Sequence, residues 1–212
     1  MDFGTSGFRS LNELAAELQR LAEEKGFREN IGDPRGKEAV AVYVANFHGE
    51  ASELWEAARC NQLHKPCDKS EQMRAAGLAP MTCLEEETAD MIIRPLDIGN
   101  IFAVDIDGAV AHAYVLNAIE ELRMPFGKTV HDVAEYVNAY HSVASAIRGD
   151  AHLKFGAADK PIICARMPYR VGLILSVAFR ICDVFNLSPI DIVMRKHAFN
   201  KTRPHRHGGK LV

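Results

Sequence analysis

The chain is expected to be all-α. Apolar residues recur at helical spacing along most of its length, alternating strand patterns are almost absent, and clusters of Gly and Pro fall largely between the periodic stretches. The first helix is SLNELAAELQRLAEEKGF (10–27), with Ser10 placed to cap it, Glu13 three residues on and Gly26 at the stop. After the turn-rich RENIGDPRG (28–36), a second helix runs from about Lys37 to Cys60. Residues 61–81 hold Pro66, Gly77 and Pro80 and read as a loop or a short helix. A third helix starts near Thr82 or Cys83 and carries Leu84, Glu87, Met91, Ile98 and Ile101 on one face. Pro95 falls inside it and should kink its axis. Further helices are expected over about 107–123, 129–148, 169–186 and 188–199, with RMPFGK, a loose 149–168 region and Ser188-Pro189 between them.

With 212 residues and 48% hydrophobic content, the chain has enough apolar surface for one substantial core or two halves sharing one. A formal net charge of −3 argues against broad nucleic-acid or membrane-surface binding. No apolar run has the length of a membrane span, and MDFGTSGFRS lacks the parts of a signal peptide, so a soluble cytoplasmic protein is expected. The five cysteines (60, 67, 83, 164 and 182) include no CxxC pair and read as reduced thiols. Cys60, His64, Cys67 and Cys83 could supply four zinc ligands, yet their spacing matches no common finger, and ordinary small cysteines are the preferred reading.

Acids in the wrong places are the informative feature. Each helical residue turns about 100°, so Tyr43, Phe47, Glu50 and Leu54 form one stripe, with Glu53 at its edge. A buried, unpaired carboxylate is expensive and needs a cation, a proton or a basic partner. Glu87 repeats the anomaly, with Asp90 beside it. Four carboxylates from two helices form an oxygen donor set for a hard divalent cation, Mg²⁺ or Mn²⁺, with positions left open for water and phosphates. Either pair alone would more often be a solvated helix face.

The sequence also repeats itself. ANFHGEAS (45–52) aligns with NAYHSVAS (138–145) at an offset of 93, and IRPLDIGNIFAVDI (93–106) aligns with FRICDVFNLSPIDI (179–192) at an offset of 86. The alignment matches Arg94, Asp97, Asn100 and Asp105 to Arg180, Asp183, Asn186 and Asp191. It pairs Glu50 with Val143, Glu53 with Ala146, Glu87 with Leu173 and Asp90 with Ser176, so the second half lacks all four acids. Arg94-x-x-Asp97, kept in both halves, suits a helix-surface or interhelical ion pair rather than chemistry.

LNELAAELQRLAEEKGF, FHGEASELWEA, LEEETADMIIRPLD and KHAFNKTRPHRHGGK, in that order, resemble the MazG-like all-α nucleoside triphosphate pyrophosphohydrolases, the superfamily that includes the dimeric all-α dUTPases. The resemblance implies a four-helix-bundle-type fold and hydrolysis of an NTP or dNTP to the monophosphate and pyrophosphate, in dNTP-pool control. It implies Glu50, Glu53, Glu87 and Asp90 as ligands for Mg²⁺ or Mn²⁺, and Lys196 and Asn200 as phosphate contacts. Glu50 is favoured as the proton acceptor, with Glu53 beside it in the catalytic set. Lys201, Arg203, Arg206 and Lys210 follow closely and suit a phosphate grip or, past Arg203, a solvated basic tail that includes His205 and His207.

Family members are typically dimers or tetramers with shared sites. The repeat then implies a tandem duplication folded as an intramolecular pseudo-dimer: a catalytic half at 1–125 and a degenerate half at 126–212 that supplies the basic tail, with room for a homodimer of that chain. Many members carry an extra glutamate where this chain has Gly49. That departure, with the expected kink at Pro95, keeps open a catalytically weakened nucleotide- and metal-binding regulator as the alternative. A purely structural helical partner is a third reading, and it requires all four acids to be incidental. His48, Phe47, Trp55 and Asn46 lie near enough in sequence to line a base pocket, although such aromatics are more often core.

Overall fold

The computed structural model describes residues 7–115, 120, 122, 124–152, 154–155 and 160–206. The helices are α1 (Leu11–Glu24), α2 (Lys37–Arg59), α3 (Ser70–Ala75), α4 (Cys83–Ile101), α5 (Ile106–Val115), α6 (Val130–His152), α7 (Ile162–Phe185) and α8 (Pro189–Thr202). Among the described residues the strand content is one antiparallel pairing of two-residue segments, Lys154–Phe155 with Lys160–Pro161. Helix starts follow local chemistry. Ser10 accepts the Glu13 N–H at 3.1 Å, and Thr82 and Glu85 close a reciprocal capping box on α4. Two boundaries differ from the sequence pattern. α6 runs on to His152, and α7 begins at Ile162, taking Pro168 into its second turn, where the freed carbonyl belongs to exposed Cys164.

Four helices close a ring: α2 packs on α4 and α6, and α7 packs on the same two. The ring encloses Phe47, Leu54, Leu84, Met91, Leu96, Tyr136 and Tyr140, all essentially without solvent contact. Burying each such side chain is worth roughly 1.5–3 kcal/mol. α1 and α8 flank α4 on the outside, and α5 flanks α7. Among the described residues no single helix is long and apolar enough to cross a membrane.

Pro95 does not end α4, and the reason lies in α6. A helical N–H normally bonds the carbonyl four residues back, so Pro95, which has none, strands the Met91 carbonyl. The Tyr140 hydroxyl, fully buried, donates to that oxygen at 2.8 Å. Tyr140→Phe should therefore cost about 1–3 kcal/mol, the penalty for an unsatisfied buried acceptor. In a Pro95→Ala background, which restores the N–H, the cost should largely vanish; urea unfolding of the four variants in a double-mutant cycle checks this.

The repeated segments meet each other. α2 and α6 are both 23 residues long and start 93 residues apart. His48 and His141, matched at that offset, touch through Nδ1 atoms 2.6 Å apart, and the rings of Phe47 and Tyr140 stand edge to face at 6.3 Å. The helix ends correct the second half of the alignment. After α4, Ala103 has φ +53° and the Val104 N–H reaches back to the Gly99 carbonyl; after α7, Asn186 has φ +57° and the Leu187 N–H reaches back to Cys182. These equivalent turns, and the caps Asp105 and Ser188 that follow, lie 83 residues apart rather than 86. At that spacing Glu87 faces Arg170 and Asp90 faces Leu173, in place of Leu173 and Ser176. The Asp-Ile identity of 105–106 with 191–192 favours a register one helical turn away from this one. Of the two ion-pair readings the structure has the interhelical one: Arg94 of α4 reaches Glu50 of α2, and Asp97 takes Arg28 rather than Arg94.

Candidate metal and phosphate site

Glu50 sits on the apolar stripe of α2 among buried Phe47, Ala51 and Leu54, and only 8% of it is exposed. Glu53, one turn on, faces the solvent side. Glu87 of α4 is also 8% exposed. One carboxylate oxygen from each of the three lies within 4.8 Å of the other two. Asp90 stands apart from this trio, because its Oδ2 accepts from Lys196 Nζ at 2.7 Å. Lys196, 97% buried, also bonds Glu86 Oε1 at 2.5 Å, and Lys69 reaches the same oxygen at 2.6 Å. Arg94 holds Glu50 Oε1 through Nε at 2.9 Å and Nη2 at 2.8 Å.

Charge counting states what this cluster requires. Five carboxyls (Glu50, Glu53, Glu86, Glu87 and Asp90) meet three bonded cations (Lys69, Arg94 and Lys196), a formal excess of two negative charges. One divalent cation would balance it. Burial, followed by the negative charges of Asp90 and Glu86, pushes the Glu87 carboxyl up to about 9. Burial and then Asp90 raise Glu50 as well. Burial acts to raise Asp90 too, but the Lys196 ammonium, with Arg94 behind it, outweighs burial and holds Asp90 below the usual range.

These directions carry a sign. A carboxyl with a raised folded-state value contributes stability below its unfolded value, about 4.5 for Glu87, and loses it as pH rises toward 9. A bound dication must displace that proton. Mn²⁺ affinity should therefore rise about tenfold per pH unit between roughly pH 6 and 8, with close to one proton released per ion. Titration calorimetry in buffers of differing ionisation enthalpy measures both, and a flat profile would contradict the assignment of Glu87 as a ligand.

The donor set fits a hard cation. It is all carboxylate oxygen, Glu87 Oε2 is buried without a hydrogen-bond partner, and exposed Glu53 leaves the outer side open. A second grouping, Cys67, Asp68 and Glu86, brings ligand atoms equally close, but two lysine ammoniums already clamp Glu86 and repel a cation there. The four-residue zinc set does not assemble among the described residues. Cys60 is exposed and bonds Glu56, and the His64 ring packs against Phe185.

Glu50, Glu53 and Asp90 line a cleft of about 230 Å³, one wall of which comes from α8 and Arg203. Lys196, Asn200 and Arg203 line it; Asn200 Oδ1 is buried and unpartnered. Lys201 turns away, pairing with Glu17 at 2.9 Å, because on a helix it lies about 100° from Asn200. The tail beyond is docked rather than solvated. The Arg206 N–H donates to the Lys25 carbonyl, and His205 and Arg206 both reach Glu29. The His205 ring crosses so close to Gly26, φ +76°, that a Cβ there would meet it at 2.1 Å. His207 and Lys210 lie outside the described residues.

Sequence reasoning did not single out Glu86, Lys69 or His197. Glu86 lies in the Glu85-Glu86-Glu87 run of a first helical turn, where acids are ordinary, and Lys69 comes from an aperiodic loop. The usable signal was the spacing of Glu86 and Asp90, four residues apart and facing one buried lysine. Compared with protein-family models, curated proteins and solved structures, the chain matches none.

Proposed function

We propose that the protein is a Mg²⁺- or Mn²⁺-dependent pyrophosphohydrolase, converting an NTP or dNTP to the monophosphate and pyrophosphate, on a MazG-like pseudo-dimeric fold. One observation carries this reading: Glu50 and Glu53, with Glu87 within 4.8 Å of them, line a cleft that Lys196, Asn200 and Arg203 close from the other side. A cleft with acids on one side and cations and an amide on the other matches a metal-bound polyphosphate, which presents both a dication and oxygen acceptors.

A divalent cation held by Glu50, Glu53 and Glu87 would neutralise phosphate oxygens and lower the pKa of a bound water. The residues of the chain do the rest. Arg94 fixes Glu50 through Oε1, and Glu50 is the carboxylate that would take a proton. Lys196 pairs with Asp90 and Glu86 and offsets their repulsion of the substrate, and Arg203 and Asn200 stand where phosphate oxygens would accept hydrogen bonds.

Duplication accounts for the division of labour. The acids come from 1–125 and the wall from 126–212. Equivalent residues meet at His48 and His141, α5 of the first half lies on α7 of the second, and α8 of the second lies on α4 of the first. That reciprocity is what a fused two-fold dimer would have. The second reading, a binding protein with weak turnover, draws on the pairing of Asp90 and Glu50 with internal cations. Phosphate released after adding inorganic pyrophosphatase, measured across the eight common nucleotides, separates the two: turnover above background favours the enzyme.

A further inference from the structure

His48 of α2 and His141 of α6 take no part in the cleft. Two residues along a helix turn about 200°, so His48 leaves α2 on the side away from Glu50 and meets α6 instead. There the Nδ1 atoms of the two rings stand 2.6 Å apart, with ring centroids separated by 4.8 Å and planes tilted by 32°. Both residues are half-buried.

One shared proton makes this contact a hydrogen bond, in which one Nδ1 donates and the other accepts. The same geometry aims two imidazole nitrogens at one point from two long helices. Neutral imidazole is the commonest protein ligand for borderline transition cations. A tetrahedral Zn²⁺ with bonds of about 2.0–2.1 Å holds two such nitrogens roughly 3.3 Å apart. The pair therefore has to part by only about 0.7 Å, a small rotation of each ring, for a cation to replace the shared proton.

Donor type separates this pair from the cleft. Glu50, Glu53 and Glu87 offer oxygen alone, which suits Mg²⁺ or Mn²⁺. The histidines offer nitrogen alone, and no third Cys, His, Asp or Glu among the described residues joins them, so water would complete the shell. Each ligand comes from one of the two matched helices, which start 93 residues apart, as the histidines are. A repeat that carries one histidine thus builds a two-ligand site where its two copies meet.

We propose that His48 and His141 form a binding site for a borderline transition cation of the Zn²⁺ class, which ties α2 to α6. The site is independent of the hydrolase reading.

Zn²⁺ is the probe. The full chain, stripped of metal and held in excess Mg²⁺ to occupy the carboxylates, is titrated with Zn²⁺ while the imidazole ¹⁵N resonances are followed by NMR. The Nδ1 signals of His48 and His141 should move together and saturate at one ion per chain. By calorimetry, His48→Gln and His141→Gln should each lower Zn²⁺ affinity at least about tenfold, whereas Glu87→Gln should keep it. Either imidazole left unmoved at millimolar Zn²⁺, or binding that survives His141→Gln, would overturn the site. Zn²⁺ taken up by the exposed thiols of Cys60 or Cys164 would leave both rings unmoved and overturn it equally. If a variant fails to fold, the parent's spectra decide.

Discussion

Replacing Lys196 with methionine should destabilise the protein by about 3–5 kcal/mol, the cost of leaving buried charge unpaired. Asp90 and Glu86 both depend on its ammonium, at 2.7 and 2.5 Å, and of these two Lys69 bonds only Glu86. For a chain of this size the melting temperature should fall on the order of 10 °C. The loss should be partly recovered in Lys196→Met/Asp90→Asn, which removes the orphaned charge together with its partner. Urea unfolding of the two variants checks the order. A single variant within about 1 kcal/mol of the parent would mean that Lys196 is a solvated contact rather than an internal counter-ion.

Glu87→Gln should do the opposite to the empty protein. It removes a carboxyl whose folded-state value is raised to about 9, so the gain is absent below about pH 4.5 and grows as pH rises toward 9. Unfolding at pH 5 and pH 8 should show the variant equal to or only slightly better than the parent at the first and clearly more stable at the second. The same variant should lose Mn²⁺ binding by about 100-fold or more and lose turnover with it. A structural glutamate would behave differently, since its removal destabilises and leaves cation binding intact. Stabilisation bought with lost function is the pattern expected of a binding site held under electrostatic strain.

Much of the fold was legible because helices advertise themselves. The stripe on α1, its Ser10 cap with Glu13 and the likeness of 45–52 to 138–145 are all local or periodic; the structure has the stripe and the cap, and the two like segments lie on α2 and α6. The misreadings arose where local pattern and packing disagree. Pro95 reads correctly as lying within α4, but the hydrogen-bond donor that it lacks comes from another helix, through Tyr140, which no local pattern shows. Pro168 reads as a boundary, but α7 passes through it where the freed carbonyl is open to water.

The site divides in the same way. Glu50 and Glu87 could be found because an acid on an apolar stripe is anomalous within its own helix, whichever partner it meets. Lys69, Arg94 and Glu86 could not, since their roles depend on which side chains three separate elements bring within 3 Å. Asp90, expected beside Glu50, Glu53 and Glu87, instead takes the lysine expected for phosphate, so two anticipated contacts merge into one buried ion pair.

On the proposed function, this cleft directs water at the α-phosphorus of a nucleoside triphosphate. Turnover of the dNTP it cleaves fastest, with Mg²⁺ in ¹⁸O-labelled water and products resolved by mass spectrometry, tests this most directly. The label should appear in the monophosphate and be absent from pyrophosphate, and Glu87→Gln should form neither product. Label in pyrophosphate, release of the γ-phosphate alone, or undiminished turnover by Glu87→Gln would contradict it.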